Sequence, residues 1–259
     1  MNINDSVKVG WFPYTTSSVH GPADLSLFND WQNLAVYPPE PALKSIKEDS
    51  RDDSMIMLCP AFTGYLKNTF LIRAPIDFTL SIDSNRRAVS GDRFDQRFFD
   101  EWINHRPNDF INPSRPLITT GPKFVFVADE DILIETLPAI MHNTEFIQNT
   151  NIIPGTYNIH RWIRPLDITF EVLDTTKLIK FKRGDPLMYI RLIDPKGRKI
   201  ELERIEQTAD LTKMIIGMTS LKTFVPKMKL EKLYDMAHDW LKNRKWLPTK
   251  PKKCPFKWK

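Results

Sequence analysis

IIPGTYNIHRWIRPLDITFEVLDTTKLIKFKRGDPLMYIRLI, residues Ile152–Ile193, predicts four β-strands in quick succession: Thr156–Arg164, Leu166–Leu173, Leu178–Lys182 and Leu187–Ile193. In the second, Leu166, Ile168, Phe170 and Val172 alternate with Asp167, Thr169 and Glu171, so one face is apolar and the other polar. Pro154-Gly155, Asp174–Lys177 and Arg183–Pro186 supply the turn residues between them. The pattern points to an α+β, mainly β fold: an antiparallel jelly-roll or barrel-like sheet. Such folds host unrelated activities, so the pattern sets architecture and leaves function open.

Outward from this stretch, Val7–Phe12, Thr69–Arg73 and Asp77–Ile82 read as further strands. Lys123–Ala128 and Ile132–Leu137 read as a hairpin across Asp129–Asp131, and Lys199–Ile205 as a strand entered through a Pro195–Arg198 hairpin turn. Leu25–Leu34 reads as a short helix, Ala35–Pro41 as an extended corner, Lys47–Asp53 as a surface loop, Ser90–Asp92 as a tip and Ile140–Thr150 as a polar connection. Phe98–Asn104 fits either a strand or a helical turn. Beyond Ile205 the period lengthens. Leu211–Leu221 and Pro226–Lys242 read as helices, the second with Leu230, Leu233, Tyr234, Ala237, Trp240 and Leu241 in one apolar stripe. Three regions result: an irregular extension 1–54, a β-rich core 55–206, and C-terminal helices with a basic aromatic tail 207–259.

With 259 residues the chain is long enough for a sizeable core. Its 20 prolines outnumber its 9 glycines, and many of them stand at strand ends, as Pro75, Pro116, Pro138 and Pro186 do. Two cysteines, Cys59 and Cys254, make neither a disulfide scaffold nor, alone, a zinc site. No apolar run reaches the length of a membrane span, and the N-terminus lacks the signal-peptide pattern. The expectation is a protein made in the cytoplasm of its host cell, without membrane attachment. The net charge of +5 is unevenly placed: Lys222–Lys259 carries +9, leaving −4 on the first 221 residues. Asymmetric charge marks one interacting end.

Nine scattered glycines form no dinucleotide or Walker loop, and no serine sits in a nucleophile elbow. His20, His105, His142, His160 and His238 lack the paired spacing of a cupin or non-haem iron site, so neither a metal nor a cofactor is expected. The most suggestive chemistry is His160, Trp162 and Arg164, which share a face if their strand is regular and would suit a planar or anionic ligand. Against that stands packing, with Trp162 and Tyr157 in the core and the arginines paired to local acids. Tyr189 and Arg191 share a face of their strand, opposite Met188, Ile190 and Leu192, and either line a ligand pocket or face water. The tail offers Lys245, Trp246, Lys250, Lys252, Lys253, Phe256, Lys257 and Trp258. Lysines attract phosphates and aromatics stack on bases, but the same residues suit anchoring on the fold or docking to a partner protein.

Lys182–Pro186 (KRGDP) resembles the turn before the last core strand of trimeric nucleotide pyrophosphatases of the deoxyuridine triphosphatase kind. The acidic metal-binding and uracil-reading motifs of those enzymes are not visible, and a plain turn explains the residues. TFLIRAPIDFTLSID (69–83), KFVFVADEDILIETLPA (123–139), IIPGTYNIHRWIRPLDITFEV (152–172) and CPFKW (254–258) together resemble a family of uncharacterised proteins of tailed, especially marine, bacteriophages and some bacteria. The resemblance implies a phage setting and carries over no catalytic residues.

Two readings follow. One is a non-enzymatic binding or assembly protein, a virion component or host-interaction factor. It would act as a homo-oligomer or with another phage or host protein, with nucleic acid contact through the tail as a further role. The other is a cupin- or pyrophosphatase-like enzyme acting on a small anionic or nucleotide ligand, its pocket lined by His160, Arg164, Tyr189 and Arg191.

Overall fold

Period-two alternation becomes strand where one face has a core to bury, and short apolar runs become strands buried on both faces. The computed structural model describes residues 6–14, 37–49, 55–75, 77–90, 103–106, 112–120, 123–224, 228–229, 232–233 and 235–236. In chain order these form β1 (Ser6–Pro13), β2 (Glu40–Pro41), α1 (Ala42–Asp49), a 3-10 turn (Met55–Leu58), α2 (Pro60–Tyr65), β3 (Thr69–Arg73), β4 (Phe78–Ile82), β5 (Ala88–Ser90), β6 (Asn104–Arg106), β7 (Leu117–Thr120), β8 (Phe124–Val127) and β9 (Leu133–Pro138). Then follow α3 (Glu145–Asn149), β10 (Thr150–Ile153), β11 (Gly155–Asn158), β12 (Ile168–Val172), β13 (Ile179–Phe181), β14 (Pro186–Ile193), β15 (Lys199–Arg204) and α4 (Ala209–Phe224). The fold is mainly β.

The strands pair in four ladders, ordered β15-β1-β8, β10-β12-β7-β6, β11-β9-β14-β3-β2 and β13-β4-β5. Every pairing is antiparallel except β1 with β15. Inward faces from all four ladders meet in one core: Val9 and Trp11 of β1, Phe124 and Phe126 of β8, Ile72 of β3, Ile134 of β9, Ile190 of β14, Leu80 of β4, Phe181 of β13, Ile118 of β7 and Phe170 of β12. Sequence alternation explains the placement. In β12, Ile168, Phe170 and Val172 are buried in this core while Thr169 lies on the other face, hydrogen-bonded at 3.0 Å to Thr119.

Helices cover two outer faces. Leu211, Met214, Ile215 and Met218 of α4, at helical spacing, pack on Phe12, Val125 and Val127, the residues of β1 and β8 that point away from the central core. Ala42 and Ile46 of α1 pack likewise on Leu71 and Tyr189 of β3 and β14. Each large side chain so buried contributes about 1.5–3 kcal/mol.

Several expectations are corrected by the register. β8 and β9 do not form a hairpin: β8 pairs with β1, and β9 with β11 and β14. Nor do β14 and β15. The Asp194–Arg198 turn forms, with the Gly197 N–H donating to Asp194 O at 2.9 Å, but it delivers β15 to β1. The four strands read in Ile152–Ile193 likewise do not pair with one another: β11 joins β9, β12 joins β10 and β7, β13 joins β4, and β14 joins β3 and β9. Lys47–Asp49 belongs to α1, whose Ala42, Ser45 and Ile46 are buried at i, i+3 and i+4. The Ile140–Thr150 connection contains α3, started by Thr144, whose Oγ1 accepts the Ile147 N–H at 3.3 Å. The helix expected over Leu25–Leu34 and residues 91–92 of the expected tip lie outside the described residues, as does most of Pro226–Lys242. Of that last stripe, Leu233 is described and is buried in the same cluster as the apolar residues of α4.

Candidate functional site

The predicted strand Thr156–Arg164 ends at Asn158, and the side chain of that residue ends it. Asn158 Oδ1 accepts the His160 N–H at 2.9 Å, and its carbonyl accepts the Trp162 N–H at 2.9 Å, folding the chain into a turn. The turn then lies along the edge of β8. His160 Nδ1 is 3.1 Å from Ala128 O, Pro165 bridges Val125, and the Leu166 N–H donates to Phe124 O at 2.6 Å. Trp162 and Ile163 enter the cluster beneath α4, whereas Leu166 enters the central core. The buried Ile163 N–H donates to Met218 Sδ at 3.2 Å. His160, Trp162 and Arg164 therefore do not share a strand face, and Trp162 is a core residue.

Arg164 differs from the other part-buried arginines. Arg73 is held by Glu40, Arg115 by Glu171, Arg191 by Glu135, and Arg198 by Asp194 and Glu130. Arg164 instead lies over the Tyr157 ring, 4.9 Å from its centroid, and its buried Nε has no hydrogen-bond acceptor among the described residues. Nearby acids are committed elsewhere. Asp167 faces Lys123 at 3.4 Å, and Asp131 accepts from Asn158 at 2.9 Å and from Arg161 at 3.3 Å. Those contacts, Asn158 first, hold the Asp131 carboxyl below its ordinary value.

Tyr189 and Arg191 do lie on one face of β14, opposite Met188, Ile190 and Leu192. That face is neither open water nor the wall of a pocket shared with the His160–Arg164 turn. Tyr189 is covered by α1 and meets His142 edge-on at 5.8 Å. Arg191 donates to Glu135 Oε2 at 2.8 Å and lies over Tyr65, 4.9 Å from the ring centre. Tyr157, by contrast, pairs with Ile134 and packs on the inward side of the same ladder. The five residues thus fall at two separate places: Tyr189 and Arg191 on one face of β14, and His160, Trp162 and Arg164 on the turn along β8.

The KRGDP turn is held by backbone. Gly184 N–H donates to Ala74 O at 2.8 Å, and Ala74 N–H to Asp185 O at 2.9 Å. Arg73 joins the turn to α1, donating to Gly184 O at 2.8 Å, Glu40 at 2.7 Å and the buried Ser45 hydroxyl at 3.0 Å. Gly184 has φ +86°, and a Cβ there would stand 3.0 Å from Tyr37 Oη. A second clasp lies between Asp194, Arg198, Lys196 and Glu130: Arg198 donates to Asp194 at 2.9 Å and to Glu130 at 2.9 Å. The guanidinium holds the Asp194 carboxyl down to about 2. Both clasps consume charge that sequence reading left uncommitted; Glu40 and Glu130 are too distant in sequence from Arg73 and Arg198 for spacing to announce them, although Asp194 and Arg198 stand four residues apart.

An open groove of about 460 Å³ is lined by Glu145, Gln148, Asn149, Lys177, Leu178 and Lys180, with Lys180 3.1 Å from Glu145. Among the described residues no cluster of His, Cys, Asp or Glu could hold a metal ion. The surface also exposes Ile56, Leu58 and Tyr65, on the 3-10 turn and α2, beside the exposed Cys59. Sequence reading placed residues 55–65 at the start of the β-rich core and gave their apolar side chains no surface role. Lys245, Trp246, Lys250, Lys252, Lys253, Phe256, Lys257, Trp258 and Cys254 lie outside the described residues. No helix among the described residues is long and apolar enough to cross a membrane. No protein-family model, curated protein or solved structure matches the chain.

Proposed function

We propose that the protein is a non-enzymatic binding or assembly protein of the phage type, a virion component or host-interaction factor. Its partner is a second copy of the chain or another phage or host protein, met in the cytoplasm of the host cell or in the virion. One observation carries this reading: Leu58 is 82% exposed, with Ile56 and Tyr65 also exposed on the same turn and helix. Large apolar side chains grouped on one short segment mark surface that a protein partner covers. The basic tail adds a second contact, to nucleic acid or to protein. The body beneath is of the jelly-roll or barrel kind, a reading supported by the four ladders that share one core.

Native mass spectrometry of the full chain tests the reading, with Leu58→Glu beside it and a chain cut after Leu241. A homo-oligomer or a retained protein partner, lost in Leu58→Glu, supports it. A monomer carrying a small ligand, unchanged in Leu58→Glu, overturns it. Loss of salt-sensitive nucleic acid binding in the cut chain, with the fold intact, assigns that contact to the tail. One observation favours the enzyme reading of a cupin- or pyrophosphatase-like protein acting on a small anion: the arginine at 164 without a carboxylate.

A further inference from the structure

We propose that Arg164, backed by the ring of Tyr157, is a binding site for an oxyanion, a phosphate or carboxylate group of a ligand. The inference is independent of the apolar surface around Leu58 and holds for an enzyme or a binding protein alike. Taking a guanidinium partly out of water is costly unless an anion accompanies it. At Arg73, Arg115, Arg191 and Arg198 the chain supplies that anion itself. At Arg164 it supplies a ring, and a cation–π contact returns only part of the cost.

The surroundings sharpen the contrast. Asp167 and Asp131 are the acids nearest in sequence or bonded to the same turn, and each is engaged by another cation, Lys123 or Arg161. Arg164 also keeps its buried Nε without an acceptor, so part of the donor fork that grips an oxyanion is unused. The residue is only partly buried, which leaves the guanidinium reachable from solvent. The Tyr157 ring, its centre 4.9 Å from the guanidinium carbon, restrains the side chain that would make a bidentate contact with a phosphate or carboxylate. The turn that carries Arg164 is pinned on both sides, by His160 on Ala128 and by Leu166 on Phe124, so the site is held in place before a ligand arrives.

The test is titration of the full chain with inorganic phosphate and, separately, with succinate. Calorimetry reads the binding, with tryptophan fluorescence alongside, to which Trp162, two residues away and buried, is one of seven contributors. Saturable binding of either anion is expected, and the arm that saturates names the ligand chemistry. Arg164→Gln should weaken it by at least about tenfold, the loss expected on removing a charge-assisted bidentate contact. Arg164→Lys keeps the charge without the fork and should fall between. Arg183→Gln removes an exposed arginine of the KRGDP turn and should bind as the unaltered chain does. Unfolding curves establish that each variant is folded; should Arg164→Gln unfold, Arg164→Lys carries the comparison. No saturation with either anion overturns the proposal, and so does equal weakening in the Arg164 and Arg183 variants.

Discussion

Replacing Met218 by leucine isolates one buried contact, because the two side chains have nearly the same volume. A Met-to-Leu exchange in a core ordinarily costs less than about 1.5 kcal/mol. At this position the exchange also removes the sulfur that accepts the Ile163 N–H at 3.2 Å. Ile163 is fully buried beneath α4, so no water replaces that acceptor. An orphaned buried donor costs about 1–3 kcal/mol, and a thioether is a weak acceptor, so the lower half of that range is expected. Met214 provides the control: it lies one turn earlier on α4, in the same cluster. Urea unfolding of Met218→Leu and Met214→Leu should show the first less stable than the second by about 1–2 kcal/mol with similar m-values. Amide exchange at Ile163 should accelerate in Met218→Leu alone. Equal destabilisation of both variants, with Ile163 exchange unchanged, would refute the claim that sulfur satisfies this backbone group.

Asp194 predicts an acid-dependent loss of stability. Its carboxyl sits at about 2 in the folded chain because of Arg198, against about 3.9 when unfolded, so its contribution is complete above pH 4 and disappears as the pH falls toward 2. Asp194→Asn should flatten that part of the stability-against-pH curve; an unaltered slope would count against the clasp. Gly184→Ala meets both a positive φ and Tyr37, whereas Gly197→Ala, at φ +70°, has nothing within 4 Å of its Cβ. Thermal unfolding should place Gly184→Ala below Gly197→Ala, with the strain alone costing about 1–3 kcal/mol at each; the reverse order would sink the account of this turn.

Strands were legible where alternation is long. The inward residues of β12 and β14 follow from side-chain period, and Thr69–Arg73 from its short apolar run. Pairing was not legible, because strands that looked like neighbours in Ile152–Ile193 satisfy other partners and short turns do not compel hairpins. α1 and α3 were missed since helices of 8 and 5 residues owe their stability to what they cover more than to their own propensity. Of the candidate site, the shared face of Tyr189 and Arg191 was readable. The burial of Tyr189 under α1 was not, nor was the interruption at Asn158, where one amide side chain diverts a run that otherwise reads as strand.

The parallel pairing of β1 with β15 also sets a schedule. Val7 and Ile200 are register partners separated by most of the chain, so the middle strand of that ladder waits for nearly everything else to be synthesised. At usual translation rates of about 5–20 residues per second, the interval is about 10–40 s. During it, Val7, Val9 and Trp11 have no β15 edge to join and remain available to wrong partners. High sequence separation of this kind slows the final closure and makes a growing chain prone to aggregation. Production of this protein should accordingly depend on chaperone capacity and growth temperature more than its finished core would suggest.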